Sequence, residues 1–107
     1  MPGKLCYFDV NGRADAIRCM LSHANFDYED DRFSFEQFGE RKAAGEFPLG
    51  QAPVWVEDGF TTCQTNAILR SLAIRLGYYS EDPIIAWNID SIMDYVDDMQ
   101  GIKAKYL

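Results

Sequence analysis

Apolar and polar residues alternate along the chain with the two spacings that distinguish strands from helices. Residues 4–9 are rich in strand-forming side chains and predict a strand, which Asn11-Gly12 ends. Residues 13–23 carry apolar side chains three and four positions apart and predict a helix. Residues 26–32 alternate aromatic and charged side chains, so they predict a second strand at the edge of a sheet.

A capping pattern predicts a second helix. Ser34 and Gln37 have the spacing at which each side chain bonds the backbone N–H of the other residue at a helix start. They predict a short helix near residues 35–44. A loop over residues 45–50 follows, because this segment holds two glycines and a proline.

The strongest local pattern is that of a hairpin. Asp58-Gly59 separates two apolar runs at 54–57 and 60–63, and this dipeptide favours the tight turn of a β-hairpin. Residues 68–76 then show helical spacing up to a glycine, which predicts a third helix and its end.

The order of these elements predicts the fold class. A strand-helix-strand unit is followed, after the second helix, by strand-strand-helix. A parallel unit joined to a hairpin and packed by helices is the thioredoxin-like arrangement, so we expect an α/β fold. Residues 1–79 are expected to form this domain, and residues 80–107 a linker and a further helix.

The predicted last helix has two distinct faces. Its apolar residues fall within ~80° of one another on a helical wheel, and its acidic residues cluster on the opposite side. The apolar residues are Ile85, Ile89, Ile92, Val96 and Met99, and the acidic ones are Asp90, Asp94, Asp97 and Asp98. We expect the apolar face to pack within a second helical domain or against another subunit. The chain is therefore expected to assemble through residues 84–100, as a homodimer or in a larger protein assembly.

Composition and charge narrow the range of partners. The chain of 107 residues suits one full domain, and its net charge of −7 argues against binding to nucleic acid or anionic membranes. Residues 78–107 are the most acidic part, with six acidic and two basic residues. The longest apolar run has four residues, whereas a membrane span needs about 20. No secretory signal is visible, so we expect a cytoplasmic protein.

The cysteines and the single histidine match no metal or redox motif. Cys6, Cys19 and Cys63 lie 13 and 44 residues apart, which is not the spacing of a zinc site, a dithiol or a disulfide framework. We interpret them as buried, reduced thiols. His23 is expected late in the first helix, where the helix dipole favours it, and is interpreted as structural.

Two segments have the chemistry of a peptide-binding cleft. If the peptide bond between Ala52 and Pro53 is cis, the backbone of Ala52 is free to pair with an extended peptide, and an ordinary trans proline is the alternative. Gln64-Thr65 precedes the third helix, whose free N–H groups suit a carboxylate. Thr65 either caps that helix or donates to such a ligand, or does both.

Tyr7 and Arg13 are the remaining candidates. Tyr7 lies within the first strand, where its hydroxyl either bonds the backbone or donates to a substrate thiolate. Arg13 stands at the start of the first helix, where a cation opposes the helix dipole. That position indicates either a separate role or an ion pair with Asp9 or Asp15.

Together these features resemble the cytosolic glutathione transferases of the sigma class over residues 4–100. The similarity follows seven segments in order: Lys4-Leu-Cys-Tyr-Phe, Gly12-Arg-Ala-Asp, Tyr28-Glu-Asp, Pro48-Leu-Gly-Gln-Ala-Pro-Val, Asp58-Gly, Gln64-Thr-Asn-Ala-Ile and Ile89-Asp-Ser-Ile-Met-Asp-Tyr-Val-Asp-Asp. The resemblance implies that the chain uses glutathione as co-substrate and activates its thiol for attack on an electrophile.

The resemblance also implies roles for individual residues. Tyr7 would hydrogen-bond the glutathione sulfur and favour the thiolate, and Arg13 would support Tyr7 electrostatically. Three parts of the tripeptide would have their own contacts: Lys42 for the glycine carboxylate, Gln51, Ala52 and Pro53 for the backbone, and Gln64 and Thr65 for the γ-glutamyl carboxylate. Phe38 would pack against glutathione at a position where the class usually has Trp, and Thr65 stands in place of the usual Ser.

Acidic residues of the last helix are implied in contacts between subunits. Asp98 matches an acidic residue that reaches the glutathione amine of the partner subunit. Asp94, Asp97 and Asp98 match a carboxylate cluster that binds Mg²⁺ or Ca²⁺ at the dimer interface. A solvated acidic face is the alternative.

Family members carry a helical C-terminal domain that supplies most of the electrophile pocket. Residues 80–107 correspond to the start of that all-α domain and its first helix, so we expect a fragment or a truncated gene product. The first hypothesis is a glutathione transferase. The alternative is a non-enzymatic, glutathione-transferase-like structural or docking subunit of a larger assembly. A thiol-disulfide oxidoreductase is disfavoured, because the chain has no CxxC motif.

Overall fold

The computed structural model describes residues 3–106, with side chains described up to residue 102. Within these residues, four strands form one mixed sheet. They are β1 (Gly3–Phe8), β2 (Tyr28–Phe33), β3 (Val54–Glu57) and β4 (Phe60–Cys63). The order in the sheet is β2-β1-β3-β4. β1 is parallel to β2 and antiparallel to β3, which pairs antiparallel with β4. The predicted hairpin and the predicted edge position of the second strand are confirmed.

Four α-helices accompany the sheet over the same residues. They are α1 (Asp15–His23), α2 (Phe35–Ala43), α3 (Thr65–Leu76) and α4 (Pro83–Tyr106). A turn of 3-10 helix over Gly12–Ala14 precedes α1, so the helix predicted from residue 13 begins in this tighter form. The part from β1 to α3 is the thioredoxin-like unit that the order of elements predicts.

The second strand begins two residues later than predicted. Asn25 has φ 52, and the N–H of Phe26 donates to the carbonyl of Leu21 at 2.9 Å, so Phe26 belongs to the turn after α1. The ring of Phe26 lies 6.4 Å from that of Trp55, and Tyr28 lies 6.1 Å from the same ring. The alternation that predicted a longer strand therefore reflects packing beside Trp55.

Alternation along β1 divides the core into two layers. The larger layer, beside α1 and α3, contains Leu5, Tyr7, Ala14, Ile17, Leu21, Trp55, Ile68 and Leu72. The smaller layer, beside α2, contains Cys6, Phe33, Phe47 and Val54. Because successive strand residues point to opposite faces, Tyr7 is buried in the first layer while Phe8 reaches the aromatic rings on the α2 side.

Acidic residues dock α4 onto the thioredoxin-like unit. The contacts are Asp90 with Arg70 (3.0 Å), Asp94 with Asn66 (2.7 Å) and Asp97 with Arg13 in an ion pair. The sequence predicts a solvated acidic face, and the resemblance implies a metal site at Asp94, Asp97 and Asp98. Three of the four acidic residues instead accept hydrogen bonds from α3 and from the turn before α1, because cationic and amide side chains lie opposite them.

The apolar face of α4 is largely exposed. Its exposed members are Ile85, Ile92, Val96 and Met99, whereas Ile89 is partly buried. The helix therefore contacts the thioredoxin-like unit along a neighbouring face and presents most of its apolar side chains outward. None of the helices within the described residues has the length and hydropathy needed to cross a membrane.

Candidate functional site

A cleft of about 430 Å³ lies where the C-terminal end of β1, the loop before β3 and the start of α3 meet. It is lined by Phe8, Arg13, Phe38, Gly50, Gln51, Ala52, Pro53, Gln64, Thr65 and Asp97. Seven of the ten residues that the sequence implicates in glutathione contact are in this set. Tyr7, Lys42 and Asp98 are outside it.

The hydroxyl of Tyr7 lies beneath the turn that precedes α1. Tyr7 is 7% exposed, and its Oη accepts a hydrogen bond from the backbone N–H of Arg13 at 3.0 Å. The predicted alternative, a bond to the backbone, is therefore present. Because the hydroxyl is the acceptor in this bond, its own proton stays available to another group. A hydroxyl that accepts one hydrogen bond becomes a stronger donor in the next.

Gly12 leaves the space that this hydroxyl occupies. Its φ is +50°, and a Cβ built on it would lie 2.5 Å from the Oη of Tyr7. A side chain at this position would therefore meet both an unfavourable backbone conformation and the tyrosine oxygen. The turn brings the N–H of Arg13 onto Tyr7 because residue 12 is glycine.

The side chain of Arg13 connects the cleft to α4. Its guanidinium forms an ion pair with the carboxylate of Asp97 and lies 3.5 Å from the carbonyl oxygen of that residue. Within the described residues, neither Asp9 nor Asp15 pairs with Arg13, contrary to one prediction. Asp9 pairs instead with Arg32 at 3.0 Å.

The start of α3 presents backbone donors to the cleft. Gln64 is the N-cap residue, with φ 77, and in the described chain its side chain makes no capping hydrogen bond. Thr65 is the first helical residue, so its hydroxyl is not the N-cap. The N–H groups of the first turn and the positive end of the helix dipole together suit a carboxylate. Gln64 Nε2 lies 3.4 Å from Gln51 Oε1, which connects two sides of the cleft.

The loop before β3 supplies a free stretch of backbone. The peptide bond between Ala52 and Pro53 is cis, as one alternative predicts. The pairing of β3 with β1 begins at Val54, opposite Cys6, so Ala52 lies outside the strand ladder. Since Ala52 also lines the cleft, its backbone polar groups are placed to bond an extended peptide.

Phe38 lines the cleft on the α2 side, and Lys42 lies beside it. The ring of Phe38 stacks on Phe33 with centroids 5.7 Å apart and lies edge-on to Phe8 at 4.9 Å. Lys42 Nζ lies 5.8 Å from the centre of the Phe38 ring. A Cβ built on Gly50 would lie 3.1 Å from the Cε of Lys42, so the lysine stem runs beside the loop although it does not line the cleft.

The acidic residues of α4 do not converge on a metal site within one chain. Among the described residues, no three His, Cys, Asp or Glu side chains are close enough together to hold a metal ion. Asp94 and Asp97 bond Asn66 and Arg13, and Asp98 is exposed. The predicted carboxylate cluster is not formed here, because groups of the thioredoxin-like unit occupy two of its members.

The thiols and the histidine lie away from the cleft lining. Burial, followed by the nearby Asp31 carboxylate, raises the pKa of the Cys6 thiol to about 11, so this thiol is protonated at neutral pH. Cys19 is exposed, so the interpretation of all three thiols as buried is wrong for this residue. His23 Nδ1 contacts the hydroxyl of Tyr78 at 2.5 Å, which agrees with its interpretation as structural.

Three residues line the cleft without being predicted to do so. The position of Phe8 could have been predicted, because it follows Tyr7 at the end of a strand and its side chain must therefore point to the other face of the sheet. Gly50 has φ 67 in a loop that the sequence predicts, but its side of the loop was not evident. The sequence predicts Asp97 on an acidic face and, through the resemblance, in a metal site, but a helical wheel does not show which face of a helix meets the rest of the molecule.

Comparison with known proteins identifies the family. The sheet order and the helices packed on it are those of a thioredoxin-like unit, and the cleft lies at the start of its helix α3. Residues 3–73 match the family described as "Glutathione S-transferase, N-terminal domain". The chain therefore belongs to the glutathione S-transferase family.

The similar proteins include enzymes of worms and vertebrates. The probable glutathione S-transferase gst-36 of Caenorhabditis elegans is 37% identical over 98 residues, which are 92% of this chain and 46% of that protein. Human hematopoietic prostaglandin D synthase is 33% identical over 98 residues, with shares of 92% and 48%. The crystal structure of monomeric Na-GST-3 from the hookworm Necator americanus has a TM-score of 0.83 at 37% identity and covers 92% of this chain and 47% of that one. The chain spans about half the length of these relatives.

Proposed function

We propose that the chain is a cytoplasmic, sigma-like glutathione transferase that binds glutathione in the cleft and activates its thiol. The observation that carries this proposal is that the cleft joins an uncapped helix start to loop backbone outside the sheet ladder. The hydroxyl of Tyr7 lies next to the cleft, beneath the backbone of the cleft residue Arg13, and has an available proton. The similarity to hematopoietic prostaglandin D synthase supports the sigma-like assignment. Residues 1–79 would form the glutathione-binding domain, and residues 80–107 the linker and first helix of a helical domain.

The cleft offers complementary groups along the length of the tripeptide. The γ-glutamyl carboxylate would lie at the start of α3, where the hydroxyl of Thr65 and the first-turn N–H groups donate to it. The peptide backbone would pair with Ala52, and the amide of Gln51 would add a polar contact. At the opposite rim Lys42 would meet the glycine carboxylate, beside the ring of Phe38.

Tyr7 would stabilise the thiolate of bound glutathione. A free thiol has a pKa of about 8.5, so little of it is ionised at neutral pH. An O–H donated to the sulfur favours the charged form and lowers that pKa, while the thiol proton passes to solvent. The thiolate then forms the sulfur–carbon bond with its own electron pair. The electrons of the bond that breaks go to the leaving group, or to a conjugated acceptor that takes a proton from water.

Titration with glutathione tests the site directly. We expect the amide resonances of residues 51–53 and 64–66 to shift at millimolar glutathione. Replacing Thr65 by valine keeps the side-chain shape and removes the hydroxyl, so the affinity should fall roughly three- to tenfold. Thr61→Val is the matched control, because Thr61 is exposed on β4 and does not line the cleft. No response in either segment would show that the cleft does not bind glutathione.

The alternative function is that of a non-enzymatic docking subunit in a larger assembly. The outward apolar face of α4 favours it, because side chains such as Ile92 and Val96 are exposed in the single chain. A docking subunit that keeps the cleft would bind glutathione without catalysing its conjugation. Measuring both binding and turnover with an aromatic electrophile separates the two functions.

Association through residues 84–100 is part of the proposal, in the form of a homodimer. In a dimer Asp98 would reach the glutathione amine of the partner subunit. For Asp94, Asp97 and Asp98 of two chains to bind Mg²⁺ or Ca²⁺, Asp94 and Asp97 would have to leave Asn66 and Arg13. The solved Na-GST-3 is described as monomeric, so the association state has to be measured. Sedimentation with and without MgCl₂ makes that measurement.

A further inference from the structure

We propose that Asp97 and Gln100 of α4 are positioning residues for Tyr7 and act through the turn at Gly12-Arg13. The inference rests on the proposed function of Tyr7. It makes the acidity of the bound glutathione thiol depend on contacts from α4, an element outside the thioredoxin-like unit.

A single peptide group transmits the contact from α4 to Tyr7. Gln100 Nε2 lies 3.4 Å from the carbonyl oxygen of Gly12, to which it donates. The N–H of the same peptide group belongs to Arg13 and donates to Tyr7 Oη at 3.0 Å. Two hydrogen bonds are therefore linked in series through this peptide group, one from Gln100 to its carbonyl oxygen and one from its N–H to Tyr7. Each bond in such a series polarises the next, which strengthens the tyrosine O–H as a donor.

Asp97 fixes the side chain that follows this peptide group. It pairs with the guanidinium of Arg13, and both residues line the cleft. A Cβ built on Gly101 would lie 3.7 Å from Arg13 Nη2, so the guanidinium rests against the α4 backbone. With its side chain held on α4, the turn has little freedom to lift its N–H away from Tyr7.

The turn tolerates little displacement. Gly12 has φ +50° and lies so close to Tyr7 that an added Cβ would be 2.5 Å from the hydroxyl oxygen. A small rotation of the peptide group therefore changes the geometry of the bond to Tyr7, and hydrogen bonds weaken steeply as they bend. Loss of either α4 contact should make Tyr7 a weaker donor without moving its buried ring.

A simpler role, in which these residues only dock α4, makes a different prediction. Asp90 also docks α4, by accepting a hydrogen bond from Arg70 at 3.0 Å, but it does not touch the turn. Asp90→Asn therefore removes the charge from a docking contact of similar kind and leaves the series to Tyr7 intact. It is the matched control.

The experiment measures the pKa of the glutathione thiol bound to the full chain. Thiolate absorbance is followed from acidic to basic pH for the wild type, Asp97→Asn, Gln100→Ala and Asp90→Asn. We expect Asp97→Asn and Gln100→Ala to raise the pKa of the bound thiol by roughly half a unit to one unit, and Asp90→Asn to leave it unchanged. The affinity for S-methylglutathione, which has no thiol proton, should change by less than about twofold in Gln100→Ala and Asp90→Asn, because neither Gln100 nor Asp90 lines the cleft. Because Asp97→Glu keeps a carboxylate, the pKa of the bound thiol in this variant should lie between those of Asp97→Asn and the wild type.

Several results would overturn the inference. It is wrong if Asp90→Asn raises the thiol pKa as much as Asp97→Asn does, or if folded Asp97→Asn and Gln100→Ala both keep the wild-type value. If Asp97→Asn does not fold, Gln100→Ala decides alone. A wild type that binds neither glutathione nor S-methylglutathione refutes the proposed function itself. If the wild type binds both ligands but the pKa of the bound thiol does not change in the α4 variants, only the positioning role is refuted.

Discussion

Cys6 and Tyr7 are neighbours in β1, yet the sheet gives their side chains opposite environments. Cys6 points into the smaller core layer, where burial and the Asp31 carboxylate keep its thiol protonated. Tyr7 points into the larger layer and receives a hydrogen bond from Arg13, which leaves its own proton available. Two adjacent residues of β1 thus carry a thiol that is unreactive in the folded chain and a hydroxyl that is proposed to act on the glutathione sulfur.

Removing the hydroxyl of Tyr7 tests that role. Tyr7→Phe keeps the packed ring and deletes one donor to the thiolate. A hydrogen bond to a charged group contributes about 1.5–3 kcal/mol, so conjugation at pH 7 should fall roughly ten- to a hundredfold. The loss should shrink as pH rises, because the thiol then ionises without help. The measurement is the conjugation rate against pH for both proteins.

Tyr28→Phe is the control for that experiment. Tyr28 lies on the edge strand β2 and packs beside Trp55, so its hydroxyl is remote from the proposed chemistry. Its removal should leave the rate nearly unchanged. Equal rates for the wild type and Tyr7→Phe from pH 6 to 9 would remove Tyr7 from the mechanism.

The reactivity of the thiols follows from their environments. Because burial raises the pKa of Cys6 to about 11, an alkylating reagent at pH 7.5 should modify Cys19 in the folded chain and reach Cys6 only on unfolding. Peptide mapping by mass spectrometry gives the rate at each site. If Cys6 is modified as fast as Cys19 under native conditions, the smaller core layer opens far more readily than its packing indicates.

At the scale of elements, local signals predicted what local interactions determine. The capping box at the start of α2 is present, with Gln37 N–H donating to Ser34 Oγ at 3.1 Å and Ser34 N–H to Gln37 Oε1 at 2.8 Å. α3 ends at Gly77, with a left-handed φ of 83°. These features need only a few neighbouring residues. The start of β2 depended instead on Trp55, which is distant in sequence, and the pattern around Phe26 contained no sign of it.

An ion pair between β2 and α2 gives a pH-dependent contribution to stability. Asp31 accepts two hydrogen bonds from Arg41, at 3.1 and 2.6 Å, and both side chains are 22% exposed. The bonds to Arg41 lower the pKa of Asp31 below its ordinary value. A depressed carboxyl pKa stabilises the folded state above the unfolded pKa of about 3.9, and the effect is lost as pH falls through the lower, folded pKa.

Asp31→Asn should therefore lower the free energy of unfolding by about 1–3 kcal/mol at pH 7. The difference from the wild type should narrow as the pH is reduced below 4 toward the folded pKa. Glu29→Gln is the control, because Glu29 is an exposed neighbour on the same strand. Urea unfolding at several pH values measures both. A difference that stays constant across this range would show that Asp31 does not act through its charge.

At the scale of the whole molecule, α4 combines polar docking with an outward apolar face. A helical wheel predicted both faces, and the structure confirms that they are separate. The wheel did not predict which face meets the thioredoxin-like unit, because that choice depends on Arg13, Asn66 and Arg70 as opposing partners. For the same reason the helical wheel does not predict that Asp97 lines the cleft.

The outward face makes a prediction about association. Ile92→Gln combined with Val96→Gln replaces two exposed apolar side chains, so it should reduce concentration-dependent self-association in sedimentation velocity. The free energy of unfolding should change by less than about 0.5 kcal/mol, since neither residue is buried in the single chain. Ser71→Gln, at an exposed position of α3, is the control. Unchanged association in the double variant would place the contact between subunits elsewhere.

The central position of β1 has a consequence for the order of protein synthesis. Its partners come from later in the chain, with Gly3 opposite Tyr28 and Lys4 opposite Val56. β1, one of the two interior strands, therefore leaves the ribosome before both of its neighbours and pairs only when they emerge. The cleft needs the strand that carries Tyr7, the loop before β3 and the start of α3 together. A nascent chain that still has α3 inside the ribosome is therefore expected to pass over immobilised glutathione without binding, and retention should begin only once α3 has emerged.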